Sequence, residues 1–182
     1  MISREQAYEL LQKHLSSRNL LKHCLAVEVV MRALARKLNE DEDTWGLAGL
    51  LHDLDYDYTK DSPDQHGFKT VEILEEYDVP KTVLDAILAH CEKKPIETKM
   101  ERAIYCSDPV TGFIVAAALI TPEKSLRSID TDFLLRRFKE KAFAKGANRD
   151  QMKSCENLGL SLQEFLDLSL NAMREISEIL GL

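Results

Sequence analysis

A histidine and an aspartate stand side by side at the end of an apolar run, and this pair is the first candidate for chemistry. The run extends from Leu47 to Leu51, and His52 and Asp53 follow it directly. Apolar runs are buried, so the pair is carried into the interior, where a carboxylate without a partner costs several kcal/mol. Neutral imidazole and ionised carboxylate both bind transition-metal ions. The pair therefore predicts a metal site, provided that other ligands converge on it.

Two of the other ligands are expected from helices on either side of this run. Apolar residues recur every three or four positions from Leu20 to Leu38, which predicts an amphipathic helix, and His23 lies on or beside its apolar stripe. The segment from His66 to Tyr77 has the same helical period, and its histidine lies on the inner face near the helix start. Each histidine alone is better explained as an ordinary core residue, and only the presence of partners changes that interpretation.

The last two candidates follow further along the chain. His90 ends the apolar stripe of a helix that Pro80 opens. Asp108 lies inside the mostly apolar segment from Met100 to Ile120, and Pro109 directly after it marks a kink or a restart of the helix. A carboxylate in such a segment needs a cation or a helix N-terminus beside it.

Six side chains on five successive helices are thus expected to point inward, and core packing alone does not explain that coincidence. The predicted ligands are His23, His52, Asp53, His66, His90 and Asp108. We expect Asp53 to bridge two ions, with His66 and His90 on the second ion and the remaining ligands on the first. Two carboxylates against two divalent ions leave a surplus of positive charge, so the site attracts anions and acidifies a bound water.

The order and spacing of these ligands resemble the HD superfamily of metal-dependent phosphohydrolases. The defining set of that superfamily matches His23, the doublet His52-Asp53 and Asp108, and the two extra histidines of its dinuclear branch match His66 and His90. The match covers about residues 20 to 120. The resemblance implies an all-helical bundle, hydrolysis of phosphate esters of nucleotides, and an Asp53 that bridges the metals.

One departure from the pattern concerns the residues after the doublet. Many dinuclear members have glycine and lysine there, whereas this chain has Asp55 and Tyr56, so the lysine that would hold a substrate phosphate is missing. A basic segment from Arg136 to Arg149 could supply the charge instead. The candidate phosphate ligands are Lys93, Lys94, Lys141 and Arg149. Asp55 and Asp57 are interpreted as solvated turn residues, with proton relay to the leaving group as the alternative.

The leading hypothesis is a phosphohydrolase that acts on a small phosphate ester, a nucleotide mono- or diester, through a metal-bridging hydroxide. Its predicted catalytic residues are Asp53, His66 and His90. Iron or manganese is the expected metal, with magnesium, cobalt, nickel and zinc as other candidates. Two alternatives stay open at this point. One is a di-iron oxygenase of the same superfamily, and the other is a regulatory module that binds metal and nucleotide.

The whole chain of 182 residues fits one domain. The segments predict an all-α fold, a single-domain helical bundle over residues 1–182. The metal-site core spans about residues 20–120, and C-terminal helices over about residues 125–182 pack on it. Capping boxes are predicted at Ser3 with Gln6, at Asn148 with Gln151, and at Ser161 with Glu164.

Composition sets limits on partners and location. The net charge of −7 argues against a nucleic-acid polymer as partner, because such binding depends on Lys and Arg at phosphates, and it leaves a small anionic substrate as the expected partner. Four cysteines without paired spacing indicate reduced thiols. The absence of an apolar signal segment or a membrane-spanning run predicts no membrane association and a cytoplasmic location.

Overall fold

A computed structural model describes residues 2–182, and all regular structure in this part of the chain is helical. The all-α prediction is therefore confirmed. Two short 3₁₀ turns, Leu126–Ser128 and Ser154–Leu158, connect the later α-helices. The α-helices are α1 (Arg4–His14), α2 (Arg18–Leu38), α3 (Glu42–Leu51), α4 (Tyr56–Thr59), α5 (Phe68–Leu74), α6 (Lys81–His90), α7 (Lys99–Leu119), α8 (Thr131–Lys139), α9 (Arg149–Lys153), α10 (Leu162–Glu175) and α11 (Ser177–Leu180).

The long helices start at side-chain caps that the sequence supplies. Ser17 caps α2 by accepting a hydrogen bond from the backbone of Leu20, and Asp41 caps α3 in the same way. At the start of α7, Thr98 and Glu101 form a reciprocal capping box. These caps fix where each helix begins, and therefore which residues face the interior one or two turns later.

Helix α2 lies at the centre of the bundle and contacts α3, α7 and α10. The backbones of α2 and α3 approach closely at Gly49, where an added Cβ would lie 2.9 Å from the carbonyl oxygen of Val27 and 3.0 Å from the Cα of Glu28. Only a residue without a side chain allows the two backbones to approach this closely. This contact brings the C-terminal end of α3 against the first turns of α2.

An ion-pair network ties the first three helices together on the other side of α2. The buried carboxylate of Glu28 accepts from Arg4 at 2.6 Å and from Arg32 at 3.2 Å, and Arg32 also pairs with Asp43 at 2.9 Å. Because both carboxylate oxygens of Glu28 have partners, its burial is compensated.

Several predicted boundaries differ from the structure. Helix α5 begins at Phe68, because Gly67 has a φ of 83° and ends the preceding turn, so His66 lies before the helix and not inside it. The apolar pattern from Leu160 to Leu182 predicts a single amphipathic helix, whereas the structure divides this segment at Ile176 into α10 and α11. The capping boxes at Ser3 and Ser161 are confirmed, whereas Asn148 caps α9 without the reciprocal bond.

The C-terminal helices pack on the central helices, with α9 against α7 and α10 against both α2 and α7. The assignment of residues 1–182 to one domain stays a prediction, and Met1 lies outside the described residues. All four cysteines are free thiols. None of the helices formed by residues 2–182 combines the length and apolarity that a membrane span requires.

Candidate metal centre

Six polar side chains from five parts of the fold meet at one end of the bundle. His52 and Asp53 follow α3 directly, where the helix gives way to a turn, so neighbouring residues can face the same point. The structure brings together every residue of the predicted ligand set: His23 of α2, His52 and Asp53 after α3, His66 before α5, His90 at the end of α6, and Asp108 in α7.

One half of the cluster lies between α2, α3 and α7. The Nε2 atom of His23 is 3.1 Å from Oδ1 of Asp108 and 3.2 Å from Nε2 of His52. Oδ2 of Asp53 completes this half, at 3.6 Å from Nε2 of His23 and 3.5 Å from Nε2 of His52. Four possible ligand atoms therefore surround one point.

The other half lies between the turn before α5 and the end of α6. The Nε2 atoms of His66 and His90 are 3.1 Å apart. Oδ1 of Asp53 lies 3.3 Å from Nε2 of His66 and 3.6 Å from Nε2 of His90. The two oxygens of one carboxylate thus face the two halves separately, which is the geometry of a bridging ligand.

The spacing and chemistry of these atoms fit divalent cations. Ligand atoms held about 2.1 Å from one ion lie about 3.0–3.4 Å apart, close to the spacings found here. The ligand atoms of His23, His52 and Asp108 all lie within 4.8 Å of one another, as do those of His52, Asp53 and His90. A set of four imidazoles and two carboxylates, half of them buried and half partly exposed, is suited to transition metals.

The second nitrogen of each histidine has a hydrogen-bond partner, which orients the ring. Nδ1 of His52 donates to the carbonyl of Gly49 at 2.8 Å, and Nδ1 of His90 donates to the carbonyl of Ile87. In both cases the partner lies three residues earlier at a helix end. With the proton on Nδ1, the Nε2 lone pair faces the centre of the cluster and is free for a metal.

Side chains provide the partners for the other two rings. The hydroxyl of Thr111 donates to the carbonyl of Asp108 at 3.1 Å and accepts from Nδ1 of His23 at 3.1 Å. Nδ1 of His66 donates to Oδ1 of Asp55 at 2.7 Å. All four Nε2 atoms are therefore available together.

Asp55 is the functional residue whose role was misjudged from the sequence. It is fully buried, not solvated, and its carboxylate also accepts from the backbone nitrogens of Gly67 at 2.7 Å and Thr70 at 3.0 Å. These bonds tie the turn that carries His66 to the end of α3. The neighbouring Asp57 accepts instead from Ser16 at 2.6 Å, away from the cluster. The one sequence clue was the position of Asp55 two residues after Asp53.

Replacing Asp55 by asparagine is expected to weaken metal binding in the second half of the centre by about 10- to 100-fold. The asparagine oxygen can still accept from Gly67 and Thr70, but its amide then donates toward Nδ1 of His66. That nitrogen must accept, so the proton moves to Nε2 and blocks the lone pair. Titration of the chelator-treated variant with Mn²⁺ measures the affinity, and Asp57→Asn serves as control.

The charges of the cluster shift the pKa values of its members in opposite directions. Burial lowers the pKa of His52 to about 4. Burial also opposes charge on His66, but the nearby carboxylates of Asp53 and Asp55 outweigh it and raise the pKa of His66 to about 9. Burial opposes charge on His90 too, but the nearby carboxylate of Asp53 helps to raise its pKa above the ordinary value. Against the effect of burial, the surrounding histidines hold the pKa of Asp53 well below its ordinary value.

These shifts predict a pH dependence of stability for protein kept in a chelator. The pKa of His66 rises from 6.5 to about 9 on folding, so its contribution is fully present below pH 6.5 and is lost as the pH rises through 9. The midpoint temperature of thermal unfolding in EDTA should therefore decrease as the pH is raised from 6.5 to 9. With saturating Mn²⁺ the histidines bind through deprotonated Nε2, and we expect this fall to disappear. An unfolding temperature that does not change with pH in EDTA would contradict the raised pKa of His66.

Cys91 is a further residue that the sequence did not single out. Its Sγ belongs to a group with His66 and His90 and lies 3.5 Å from the carbonyl of His66. A Cβ at Gly67 would lie 2.6 Å from this sulfur, so the glycine is needed both for its positive φ and for space. The thiol packs the turn of His66 against the end of α6.

The four candidate phosphate ligands are placed differently. Nζ of Lys94 bonds to Glu101 at 2.6 Å and pairs with Glu97, and its charge is therefore compensated. Arg149 donates to four backbone carbonyls, those of Phe138, Phe143, Ala144 and Ala147. Both side chains hold local structure. Lys141 is exposed, and Lys93 is half-buried beside the ring of Phe68. Contact of any of the four with a substrate phosphate stays a prediction.

A cleft of about 370 Å³ opens beside the first half of the cluster. His23 and Asp108 lie on one side of it, and Ala144, Gly146 and Ala147 form the opposite wall. The small residues of the basic segment therefore line the cleft, and the hydrogen bonds of Arg149 to their carbonyls hold this part of the backbone in place.

Comparison with known proteins places these observations in a family. The family model described as HD domain matches residues 20–137. Ribonuclease Y of Aquifex aeolicus (strain VF5) is 26% identical over 165 residues, which cover 89% of this chain and 30% of that protein. Ribonuclease Y of Sulfurovum sp. (strain NBC37-1) is 26% identical over 163 residues, which cover 88% of this chain and 32% of that protein. Ribonuclease Y of Aliarcobacter butzleri (strain RM4018) is 36% identical over 90 residues, which cover 49% of this chain and 17% of that protein.

The chain spans about a third or less of the length of these relatives. No solved structure shows significant similarity to it.

The prediction that excluded a nucleic-acid polymer as partner is wrong, because these relatives are named as ribonucleases and so act on RNA. The exclusion was based on the net charge of −7, which averages over the whole chain. Binding to phosphates depends on local charge, and the exposed lysines Lys139, Lys141 and Lys145 are concentrated in one segment beside the cleft.

The family match covers more than half of the chain and includes all six residues of the cluster. It agrees with the resemblance found in the order of the ligands and with the all-helical fold. This chain belongs to the HD domain family, whose members are metal-dependent hydrolases.

Proposed function

We propose that this chain is a metal-dependent phosphodiesterase that hydrolyses phosphodiester bonds of nucleotides, and that RNA is its substrate class. The observation that carries the proposal is the orientation of Asp53, whose two oxygens face two separate sets of histidines. A carboxylate shared in this way supports a pair of ions close together, which is the arrangement that two-metal phosphoryl-transfer sites use. The RNA assignment is supported by the ribonuclease names of the relatives.

The residues that would hold the ions follow from the two halves of the cluster. His23, His52 and Asp108 would bind one ion, His66 and His90 the other, and Asp53 both. Bound divalent ions supply Lewis acidity and lower the pKa of a coordinated water. Four imidazole ligands favour iron or manganese over magnesium, which prefers oxygen ligands, and we propose iron or manganese as the metal.

The charge of the centre suits an anionic substrate. Asp53 and Asp108 lie within the cluster, and the buried Asp55 adds a third carboxylate through its bond to His66. Three negative charges against two divalent ions leave one positive charge in surplus. A surplus of positive charge attracts an anionic phosphate, and the developing charge of the transition state would be stabilised in the same place.

The cleft supplies access to that surplus charge. Its volume of about 370 Å³ lies at the lower end of the range of about 300–1,000 Å³ that small-ligand sites occupy. Lys141 follows α8 in the segment whose later residues line the cleft, and it is the side chain we propose for contact with substrate phosphate on this side. Removal of its charge is expected to raise the KM for RNA and to leave metal content unchanged.

The proposal is tested by metal analysis followed by a substrate panel. Purified protein is stripped with a chelator, reloaded with Mn²⁺ or Fe²⁺ under anaerobic conditions, and assayed with a labelled oligoribonucleotide, dinucleotides and mononucleotides. We expect cleavage of the diesters that requires the reloaded metal. A fully loaded protein that cleaves no member of the panel would contradict the proposal. So would oxygen uptake by the ferrous protein without release of any phosphate ester product.

A further inference from the structure

Two aromatic rings are exposed at the edge of the second half of the metal centre. Tyr56 is 40% exposed, and its ring centroid lies 6.0 Å from that of His66. Phe68, two residues after His66 and at the start of α5, is 49% exposed. One of these rings contacts a candidate metal ligand and the other follows it by two residues, so together they offer an exposed aromatic surface for a ligand at this edge.

The contacts of these rings leave room for such a ligand. The planes of Tyr56 and His66 are inclined at 87°, so the imidazole does not stack on the tyrosine face to face. Nζ of Lys93 lies 6.0 Å from the centroid of Phe68 and brings a positive charge to the same edge. Tyr58 is also exposed, but its hydroxyl bonds to Nδ1 of His14 at 3.0 Å, so it is engaged elsewhere.

We propose that Tyr56, Phe68 and Lys93, here called the aromatic rim, bind the nucleobase next to the scissile phosphate of the substrate. This inference rests on the proposed function. Aromatic platforms combined with basic side chains are how proteins bind single-stranded nucleic acid, because every base offers a π-face for stacking. The contacts of His66 with Asp53 and Asp55 fix the imidazole that Tyr56 of the rim contacts. A base on the rim would therefore position its own phosphate at the metals.

The variants Tyr56→Ala and Phe68→Ala test the rim, with Tyr77→Ala as the matched control. Tyr77 is 37% exposed and lies beyond the opposite end of α5, about 10 Å or more along the helix from Phe68. All three changes are at exposed positions, so the fold should be retained, and circular dichroism verifies it.

Kinetics with two substrates separate stacking from general binding. One is an oligoribonucleotide. The other is a series of the same oligoribonucleotide in which one position at a time carries a ribose without its base. Loss of one stacked base is expected to raise KM by about 5- to 150-fold with little change in kcat. For Tyr56→Ala this rise should vanish with the substrate that lacks the base at the affected position. Tyr56→Trp should restore the wild-type KM, and Tyr77→Ala should leave it unchanged.

A binding measurement decides the matter independently of hydrolysis. An oligoribonucleotide with 2-aminopurine at each position in turn is titrated with protein in EDTA, and quenching of its fluorescence reports stacking. We expect quenching at one position, reduced in both rim variants and retained in Tyr77→Ala. Wild-type KM values together with undiminished quenching in both rim variants would overturn the inference. If the wild-type chain cleaves no phosphodiester, the proposed function fails. In that case quenching that depends on Tyr56 still supports base binding by the rim, and an absence of quenching refutes it.

Discussion

Replacing Asp53 by asparagine is expected to empty both halves of the metal centre and to lower phosphodiester hydrolysis at least about a thousandfold. The side chain keeps its size but loses the charge that faces four histidines, at 3.3–3.6 Å from their Nε2 atoms. An amide also offers only one oxygen, so it cannot serve both halves. Elemental analysis of the purified variant and its kcat on an oligoribonucleotide measure the two effects.

The control for this variant is Asp57→Asn, four residues further along the chain. Asp57 bonds to Ser16 and has no contact with the cluster, so its loss should leave metal content and kcat near the wild-type values. If Asp53→Asn retains two equivalents of metal, the bridging assignment of Asp53 is wrong even if hydrolysis is lost.

Replacing Gly49 by alanine is expected to destabilise the protein by about 1–3 kcal/mol and to weaken metal binding at the same time. The added methyl would lie 2.9 Å from the carbonyl oxygen of Val27 and 3.0 Å from two backbone atoms of Glu28, none of which can rotate away. Helix α3 must therefore move from α2, which separates His52 from His23. Chemical denaturation in EDTA measures stability, and Mn²⁺ titration measures binding.

Gly112 provides the opposite case within the same fold. It lies inside α7, and a Cβ there would meet no atom within 4 Å. Alanine should stabilise the helix by about 0.5–1 kcal/mol, because glycine is the poorer helix former. If Gly49→Ala and Gly112→Ala change the free energy of unfolding equally, Gly49 is not required for the close approach of α2 and α3.

The parts of the fold that could be predicted are those encoded locally. Apolar periodicity located α2 within two residues of its observed start, because a helix needs only its own stripe to be recognised. The predicted ligands could be found for a related reason. Each lies on or beside an apolar stretch where its residue type is out of place, as Asp108 does in the apolar α7, and such a conflict is visible in the sequence.

The parts that escaped prediction depend on contacts between distant segments. Asp55 looks like a turn residue because its partners, the ring of His66 and the backbone of Gly67 and Thr70, come more than ten residues later. The bonds of Arg149 to backbone carbonyls escaped prediction because those carbonyls belong to a loop without a sequence pattern, and its contact with a substrate phosphate stays a prediction. Whether the predicted ligands bind metal stays a prediction for the experiments above.

The way in which the four histidine rings are oriented has a consequence for how the protein acquires its metal. Backbone carbonyls, a threonine and an aspartate position the rings, and protons on His66 and His90 can balance the charge of Asp53. We therefore expect the fold to assemble without metal, unlike small zinc domains that fold only around their ion. In that case loading would follow folding, and supply and exchange would decide which cation occupies the site. Cultures grown on different metals should yield the same fold with different metal content.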